Sequence, residues 1–485
     1  MTLDRVRTRF APSPTGFMHI GNLRTALYAY LFAKSSNGDF ILRIEDTDRA
    51  RLVEGAVEFI ENTLKAAKII PDEGPHHGGK FAPYVQSERM DIYKKYAEQL
   101  VESGHAYRCF CQHSDEPSSP DKKFGGYDRH CRDLPSDVIE KNLADGVPYV
   151  IRQKMPLAGE TTLFDVLHGN ITIANSELED QVLLKRDGMP TYNFANVIDD
   201  HLMEVSHIIR GTEFITSTPK HVLLYQFFGW ELPTFIHLAP VMGKAADGSI
   251  SKLSKRHGAT SFDDLIKMGY LPEAITNYVA LLGWSPKNSN QEIFTMEELI
   301  AAFSLEGLSK SPAVFDYNKL DWMSGEYFKR MSDEEFADSA RSFVELDGNL
   351  ESKRIFLAGL LKTRVSKLSD IQPSIKFLME NPTFDPDLFV NKKNKVTVEK
   401  SIEIIEPAIK AIEIIDDWTI DKISAAIGEF AASTQLKLGT VMWPLRVGLS
   451  GQKVTPGGVN EILYLLGKKN SLQRLHETLD KLRAL

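Results

Sequence analysis

Hydrophobic and polar positions alternate at the start of the chain and then change period. Val6, Thr8 and Phe10 alternate with Arg7, Arg9 and Ala11, which predicts a strand with one apolar face and one face carrying arginines. A central strand of a parallel sheet is usually apolar on both faces, so Arg9 is expected near the strand's end, aimed at an anion. Pro12-Ser13-Pro14-Thr15-Gly16 breaks the strand. From Gly21 the spacing of Leu23, Leu27, Tyr30 and Leu31 predicts a helix. Phe40 to Ile44 returns as a strand and delivers Glu45, Asp46 and Asp48 at its carboxyl end, where ligands bind in open α/β sheets. The whole stretch reads as one βαβ unit. His19 and Asn22 share a face at the helix start, where free backbone N–H groups and an imidazole suit a triphosphate.

Residues 51–105 predict two amphipathic helices, LVEGAVEFIENTLKAA and MDIYKKYAEQLVESGH, separated by a Gly/Pro-rich link. Residues 134–185 alternate as strands, closing on the turn signal Asp187-Gly188. The α/β pattern resumes at Pro190, and His237 to Gly243 reads as a strand. After Thr260 the sequence turns helical, and from about 325 to the C-terminus it is almost wholly helix-periodic, with Ile402, Ile405 and Ile409 on one side of a helix.

The chain's 485 residues exceed one core and predict three to five compact units. A hydrophobic content of 42% with 25% charged residues is that of a soluble globular protein. No apolar run approaches the roughly 18 residues that span a bilayer, and the N-terminus lacks a secretory apolar region. Three cysteines argue against a disulfide framework and for a reducing cytoplasm. The net charge of −9 does not advertise a nucleic-acid binder, so any RNA contact must use local basic patches such as Lys392-Lys393-Asn394-Lys395 and Lys468-Lys469.

Three motifs carry chemistry. His19-Ile20-Gly21-Asn22 opens the first helix. Lys252-Leu253-Ser254-Lys255-Arg256 follows about 230 residues later, amid serines and glycines too flexible for a packed helix and suited to a lid over phosphates. Cys109 and Cys111, with Cys131 beyond a loop, offer three of four tetrahedral zinc ligands. Asp133 is the fourth candidate, Tyr127 and His130 compete with it, and three reduced thiols without metal stand as the alternative.

The two signatures in this order resemble those of class I aminoacyl-tRNA synthetases. The context RFAPSPTGFMHIGNLRTAL followed by LRIEDTDRAR is similar to bacterial-type glutamyl-tRNA synthetases. That resemblance implies an α/β fold: a Rossmann-like catalytic domain in two halves (1–108 and 188–260) around an α+β acceptor-binding insertion (109–187). A helical stem-contact domain (261–324) and an all-α anticodon-binding domain (325–485) would follow. The implied reaction is ATP-dependent activation of L-glutamate and its transfer to tRNA(Glu), with tRNA(Gln) as an alternative acceptor and a non-catalytic tRNA-binding paralogue as the rival. His19, Gly21, Asn22, Lys252 and Lys255 would be catalytic, assisted by Mg²⁺. Pro12, Thr15 and Gly16 would join His19, Gly21 and Lys255 around ATP. Arg9, Ala11, Ser13, Glu45, Tyr192, Asn196 and Arg210 would line the glutamate pocket, with Arg9 facing the γ-carboxylate. Arg446 is the implied tRNA contact, and a cytoplasmic monomer without membrane attachment is expected. For Asp199-Asp200-His201 a helix cap and first turn competes with a functional role.

Overall fold

The computed structural model describes residues 5–16, 18–48, 51–111, 127–245, 247–254, 257–258 and 260–485. The chain divides into two compact units, Met1–Leu265 with Pro272–Tyr317, and Ile266–Leu271 with Asn318–Leu485.

The first unit opens with β1 (Arg7–Phe10), α1 (Ile20–Ser35) and β2 (Asp39–Leu42). β1 and β2 run parallel, Arg7 opposite Asp39 and Phe10 opposite Leu42, so the predicted βαβ unit is present. The strand departs from its expected two-faced character, because all four β1 residues are buried. Its arginine face is covered by carboxylates, Arg7 meeting Asp39 at 2.7 Å and Glu73 at 2.9 Å. α1 is buried on most of its circumference, Ile20, Leu23, Ala26, Leu27, Tyr28 and Leu31 among them, as a central helix should be.

Next come α2 (Ala56–Ala66), α3 (Met90–Glu102), β3 (Ala106–Cys109) and α4 (Ser136–Ala144). No residue of α4 is buried, so the segment has no apolar stripe to reveal it, and the strand-only expectation for 134–185 missed it. β4 (Val150–Gln153), β5 (Glu160–Asp165), β6 (Gly169–Ala174) and β7 (Val182–Leu184) follow. Then come α5 (Tyr192–Leu202), β8 (His207–Gly211), α6 (Thr218–Phe228) and β9 (Thr234–Leu238). β10 (Val241–Lys244), β11 (Ile250–Lys252) and β12 (Ala313–Phe315) complete the strands named here. The single strand expected from His237 to Gly243 is two, divided at Ala239-Pro240, where proline supplies no N–H to a ladder.

Four sheets result among the described residues: β1-β2, the antiparallel β3-β4-β7, the mixed β6-β5-β9-β8, and β11-β10-β12. β8 and β9 are parallel, which sets Arg210 opposite His237 and Gly211 opposite Leu238. Between them α3, α5 and α6 bury Tyr93, Leu100, Phe194, Ile198 and Leu224. Burying side chains of this size contributes about 1.5–3 kcal/mol each.

The second unit is almost all helix. Its longest helices cover Val398–Glu413, Ile420–Ser433, Leu438–Ser450 and Val459–Arg483. The buried stripe of the first is Ile404, Ile405, Ala408, Ile409 and Ile412, while Ile402 lies at its half-buried border. The last is two helices meeting at Gly467, whose φ of 78° is open to glycine without strain. No helix among the described residues is long and apolar enough to cross a membrane.

Candidate active site

The carboxyl ends of β8 and β9 and the N-terminus of α1 enclose a cavity of about 620 Å³, lined in part by His19, Gly21, Asn22, Gly211, Lys252 and Ser254. His19 is the N-cap of α1, so the helix's free N–H groups and positive end face this space. The second signature is brought to the first by backbone pairing: Ile20 N–H donates to Thr260 O at 2.9 Å, and His19 bridges Ser261. Lys252 is held in register opposite Met242 on β10. The ring of His257 lies where a side chain on Gly243 would sit, and its Nδ1 accepts from Ser254 N–H at 3.0 Å, which fixes the loop behind Lys252. Lys255 falls outside the described residues. Arg24, also lining the cavity, donates to the carbonyls of Leu282 and Ala239 and leaves its buried Nε without a partner. Among the described residues no carboxylate is in ion-pair contact with Arg24, although Glu213, which lines the same cavity, attracts its charge.

The residues expected around the amino acid form a second cluster beside this cavity, reached through the consecutive residues Arg210 and Gly211. Arg9 donates from Nε and Nη2 to the two carboxylate oxygens of Asp200, at 3.0 and 3.3 Å. The fully buried Arg43 joins Asp200 at 2.7 Å to Glu45 at 2.9 Å. Asp199 takes Arg89 at 2.8 Å and accepts from Tyr93 and Gln86 at 2.7 and 2.9 Å. Asp199 and Asp200 therefore stand in the last turns of α5, not at a helix cap, and both are fully buried. Three arginines meet three carboxylates, and the cluster is electrically closed.

Burial pushes the Glu45 carboxyl up to about 6, against the attraction of Arg43 and Arg9. Burial works the same way on Asp200, but Arg43 and Arg9 prevail and hold it below its usual value. Tyr192, the first residue of α5, lies within electrostatic reach of Glu45, Arg210, Arg9 and Asp200, and burial raises its phenol. Asn196 is buried with its Nδ2 unpartnered, a donor aimed at no protein acceptor. Pro12 O accepts from Glu45 N–H at 3.0 Å, so the irregular segment carrying Ala11, Ser13, Thr15 and Gly16 is tied to the strand end that carries Glu45.

Sequence reasoning missed Arg43, although it lies within the quoted LRIEDTDRAR stretch, and it missed His221, His237 and Thr218, which lie in no quoted motif. The alternation of FILRIE around Arg43 was the available signal, since a cation inside an apolar strand requires a buried anion.

The three thiols converge as expected, with the sulfurs of Cys109, Cys111 and Cys131 all within 4.8 Å of one another. Asp133 does not join them. Its side chain is 77% exposed and pairs with Lys154 at 2.9 Å, because it lies past the turn that buries Cys131. Tyr127 takes the adjoining place: its hydroxyl lies 3.3 Å from Cys109 Sγ and accepts from Cys131 N–H at 2.9 Å. Burial opposes ionisation of Cys109, but the Tyr127 hydroxyl and the Arg152 guanidinium reverse it and lower the thiol; burial and Cys131 push Cys111 up to about 12. Of the basic clusters, Lys468 donates to Ile415 O at 2.7 Å and serves packing. Arg446 is half-buried with its Nε unpartnered.

Comparison with known proteins fits this arrangement. A family model described as "tRNA synthetases class I (E and Q), catalytic domain" matches residues 5–322, and an anticodon binding domain model matches 322–479. The fold and the paired signatures thus define a class I aminoacyl-tRNA synthetase. The chain is 50% identical over 494 residues to a glutamate–tRNA ligase of Clostridium botulinum (strain Eklund 17B / Type B), covering all of both proteins. It is 48% identical to one of Clostridium tetani, covering 100% of this chain and 99% of the relative. A crystal structure of a glutamate tRNA ligase from Elizabethkingia meningosepticum, in complex with its amino acid, superposes with a TM-score of 0.87 at 36% identity over 99% of this chain and 100% of that one. The chain belongs to the glutamate–tRNA ligase family.

Proposed function

We propose that the protein activates L-glutamate with ATP and transfers it to the 3′-terminal adenosine of tRNA(Glu). The observation that carries this reading is Arg210, a buried guanidinium with no carboxylate in ion-pair distance among the described residues, beside a charge-closed cluster and one residue from the cavity. L-Glutamate brings one ammonium and two carboxylates, a net negative charge that matches the cation left over.

In this reading the α-carboxylate of glutamate attacks the α-phosphorus of ATP, pyrophosphate leaves, and a hydroxyl of the terminal adenosine takes the acyl group from the adenylate. No protein nucleophile is needed, so the residues act by positioning and charge. His19, the α1 N-terminus around Gly21 and Asn22, Lys252, Lys255 and Arg24 receive the phosphates, with Pro12, Thr15 and Gly16 closing over the nucleotide. Mg²⁺ neutralises phosphate charge when bound. Glu45 takes the substrate ammonium with Ser13 and Ala11 beside it, and Tyr192, Asn196 and Arg9 complete the pocket. The sheet β3-β4-β7 is the acceptor-end module, residues 261–324 contact the stem, and Arg446 contacts the anticodon. Cys109, Cys111 and Cys131 supply three thiol donors of the kind zinc prefers, and one structural Zn²⁺ is proposed there. A cytoplasmic monomer is the working state.

Aminoacylation with labelled glutamate on purified tRNA(Glu) and, separately, tRNA(Gln) tests the reading. Charging of tRNA(Glu) is expected; charging of both would extend the substrate to tRNA(Gln), and charging of neither while tRNA binds would replace an enzyme by a binding protein. Removing one preorganised cation costs about 3 kcal/mol of transition-state stabilisation, so Lys252→Ala should slow glutamate activation roughly 100-fold.

A further inference from the structure

β10 and β11 pair antiparallel, with Gly243 opposite Ser251 and Met242 opposite Lys252. Residues directly opposite in such a pair share a face, and successive residues alternate between faces. Gly243 and Ser251 therefore stand on one face, Met242 and Lys252 on the other. The imidazole of His257 fills the space over Gly243. A Cβ there would come within 2.5 Å of His257 Cγ, 2.8 Å of Nδ1 and 2.9 Å of Cδ2. Gly243 does not adopt a positive φ, so the ring and not the backbone is what demands glycine.

Both ring nitrogens are engaged. Nδ1 lies 3.0 Å from Ser254 N, 3.2 Å from Ser254 Oγ and 3.1 Å from Ser254 O, and Nε2 lies 3.2 Å from Ser251 Oγ. A backbone N–H can only donate, and Ser254 O already accepts from the backbone N–H of His257 at 2.9 Å. Nδ1 is thus the acceptor, and the ring proton sits on Nε2 and is donated to Ser251 Oγ. One side chain grips the residue before Lys252 and the second residue after it. The backbone is tied beside the clamp as well: Leu253 N–H donates to Val241 O at 3.0 Å, and Gly258 turns with a φ of 101° against the hydroxyl of Tyr317.

Lys252 leaves the face of β11 opposite the ring and lines the cavity with Leu253 and Ser254, so the imidazole acts on the cavity through them. A lysine is a point charge on a flexible stem, and where its ammonium goes depends on how firmly its backbone is held. A misplacement of about 1 Å can cost a factor of about 100 in rate.

We propose that His257 is a positioning residue for glutamate activation: seated in the socket left by Gly243, its imidazole clamps Ser251 and Ser254 and so sets Lys252 against the phosphates of the nucleotide. This rests on the glutamate-activating reading above, in which Lys252 meets those phosphates.

Ring and socket should fail together, so they are tested as a pair. Glutamate-dependent pyrophosphate exchange is measured with tRNA(Glu) present, separating kcat from the KM for glutamate. His257→Ala is expected to lower kcat about tenfold and to leave the glutamate KM within about twofold. His257→Asn, whose Oδ1 can replace Nδ1 as the acceptor for Ser254 N–H, should stay within about threefold of wild type. Gly243→Ala keeps the histidine and denies it the socket. It should lower kcat about tenfold in the wild-type chain and less than twofold in a chain already carrying His257→Ala. Losses that multiply in the double variant to about 100-fold, or a loss carried by the glutamate KM, overturn the proposal. If Gly243→Ala does not fold, the two histidine variants decide alone, and equal losses in His257→Ala and His257→Asn overturn it. A wild-type protein without glutamate-dependent exchange would refute the proposed function and this inference with it; a wild-type protein that exchanges, with kcat unchanged in His257→Ala, would refute the inference alone.

Discussion

The two units of the chain solve the problem of an interior differently. The first buries charge: Arg7, Arg9, Arg24, Arg43, Arg89, Arg152, Arg210, Glu45, Asp165, Asp180, Asp199 and Asp200 are all removed from water. The second buries one charged side chain, Arg474, amid aliphatic stripes such as Ile404–Ile412. Even Arg474 meets no acid there; it donates to the carbonyls of Phe377, Leu449 and Glu380, where helix ends present partial negative charge. Buried ion pairs contribute little net stability, because desolvation consumes most of the attraction, so the first unit is not built this way for stability. Arg9, Arg43, Glu45 and Asp200 among them gather in one cluster at the proposed glutamate pocket. The helical unit, whose surface would meet a large polyanion, has no such need.

Removing one partner from the charge-closed cluster should break the contrast most strongly. Asp200→Asn strips Arg9 of its counter-charge and removes one of the carboxylates around Arg43, and the first unit is expected to lose about 3–5 kcal/mol in urea unfolding. In the second unit the equivalent change is milder: Arg474→Met should cost about 2 kcal/mol, the upper range for a cation at helix C-termini. A similar loss in both would erase the difference argued here.

Glu45 sharpens the comparison through pH. Its carboxyl is raised from 4.5 to about 6, so the native state holds an extra proton between those values. The sign follows: this group makes the folded state less favourable as pH rises from 4.5 through 6, with nothing further lost above that window. Recognition of an ammonium needs the ionised form, so the glutamate KM should rise about tenfold per unit below pH 6, worth about 1.4 kcal/mol for each. A flat KM between pH 5 and 7 would separate Glu45 from the substrate. Smallest of all, Ile405→Val in the helical unit should cost about 1 kcal/mol, seen only in that unit's unfolding transition, and leave glutamate activation unchanged.

The sequence was most legible where one local rule decides the outcome. The βαβ unit, α2, α3 and the helical second half followed from period and breakers. α4 was not legible, since an exposed helix shows no stripe. The convergence of Cys109, Cys111 and Cys131 was visible in spacing, whereas the place beside them went to Tyr127 and not to Asp133. Spacing limits which residues can reach a point, and side-chain direction after a turn decides which one does.

By itself the sequence determined the kind of chemistry here: the two signatures, their order, and the charged residues available to a small anionic substrate and to phosphates. Only the tertiary structure decided which charges cancel. Arg9 and Arg210 are equivalent letters, each in a strand among apolar neighbours. One folds against Asp200, 191 positions away, and the other against two neutral histidines. Net charge at a point depends on which distant groups are packed within a few ångströms of it, and that is a property of the packing rather than of any stretch of chain.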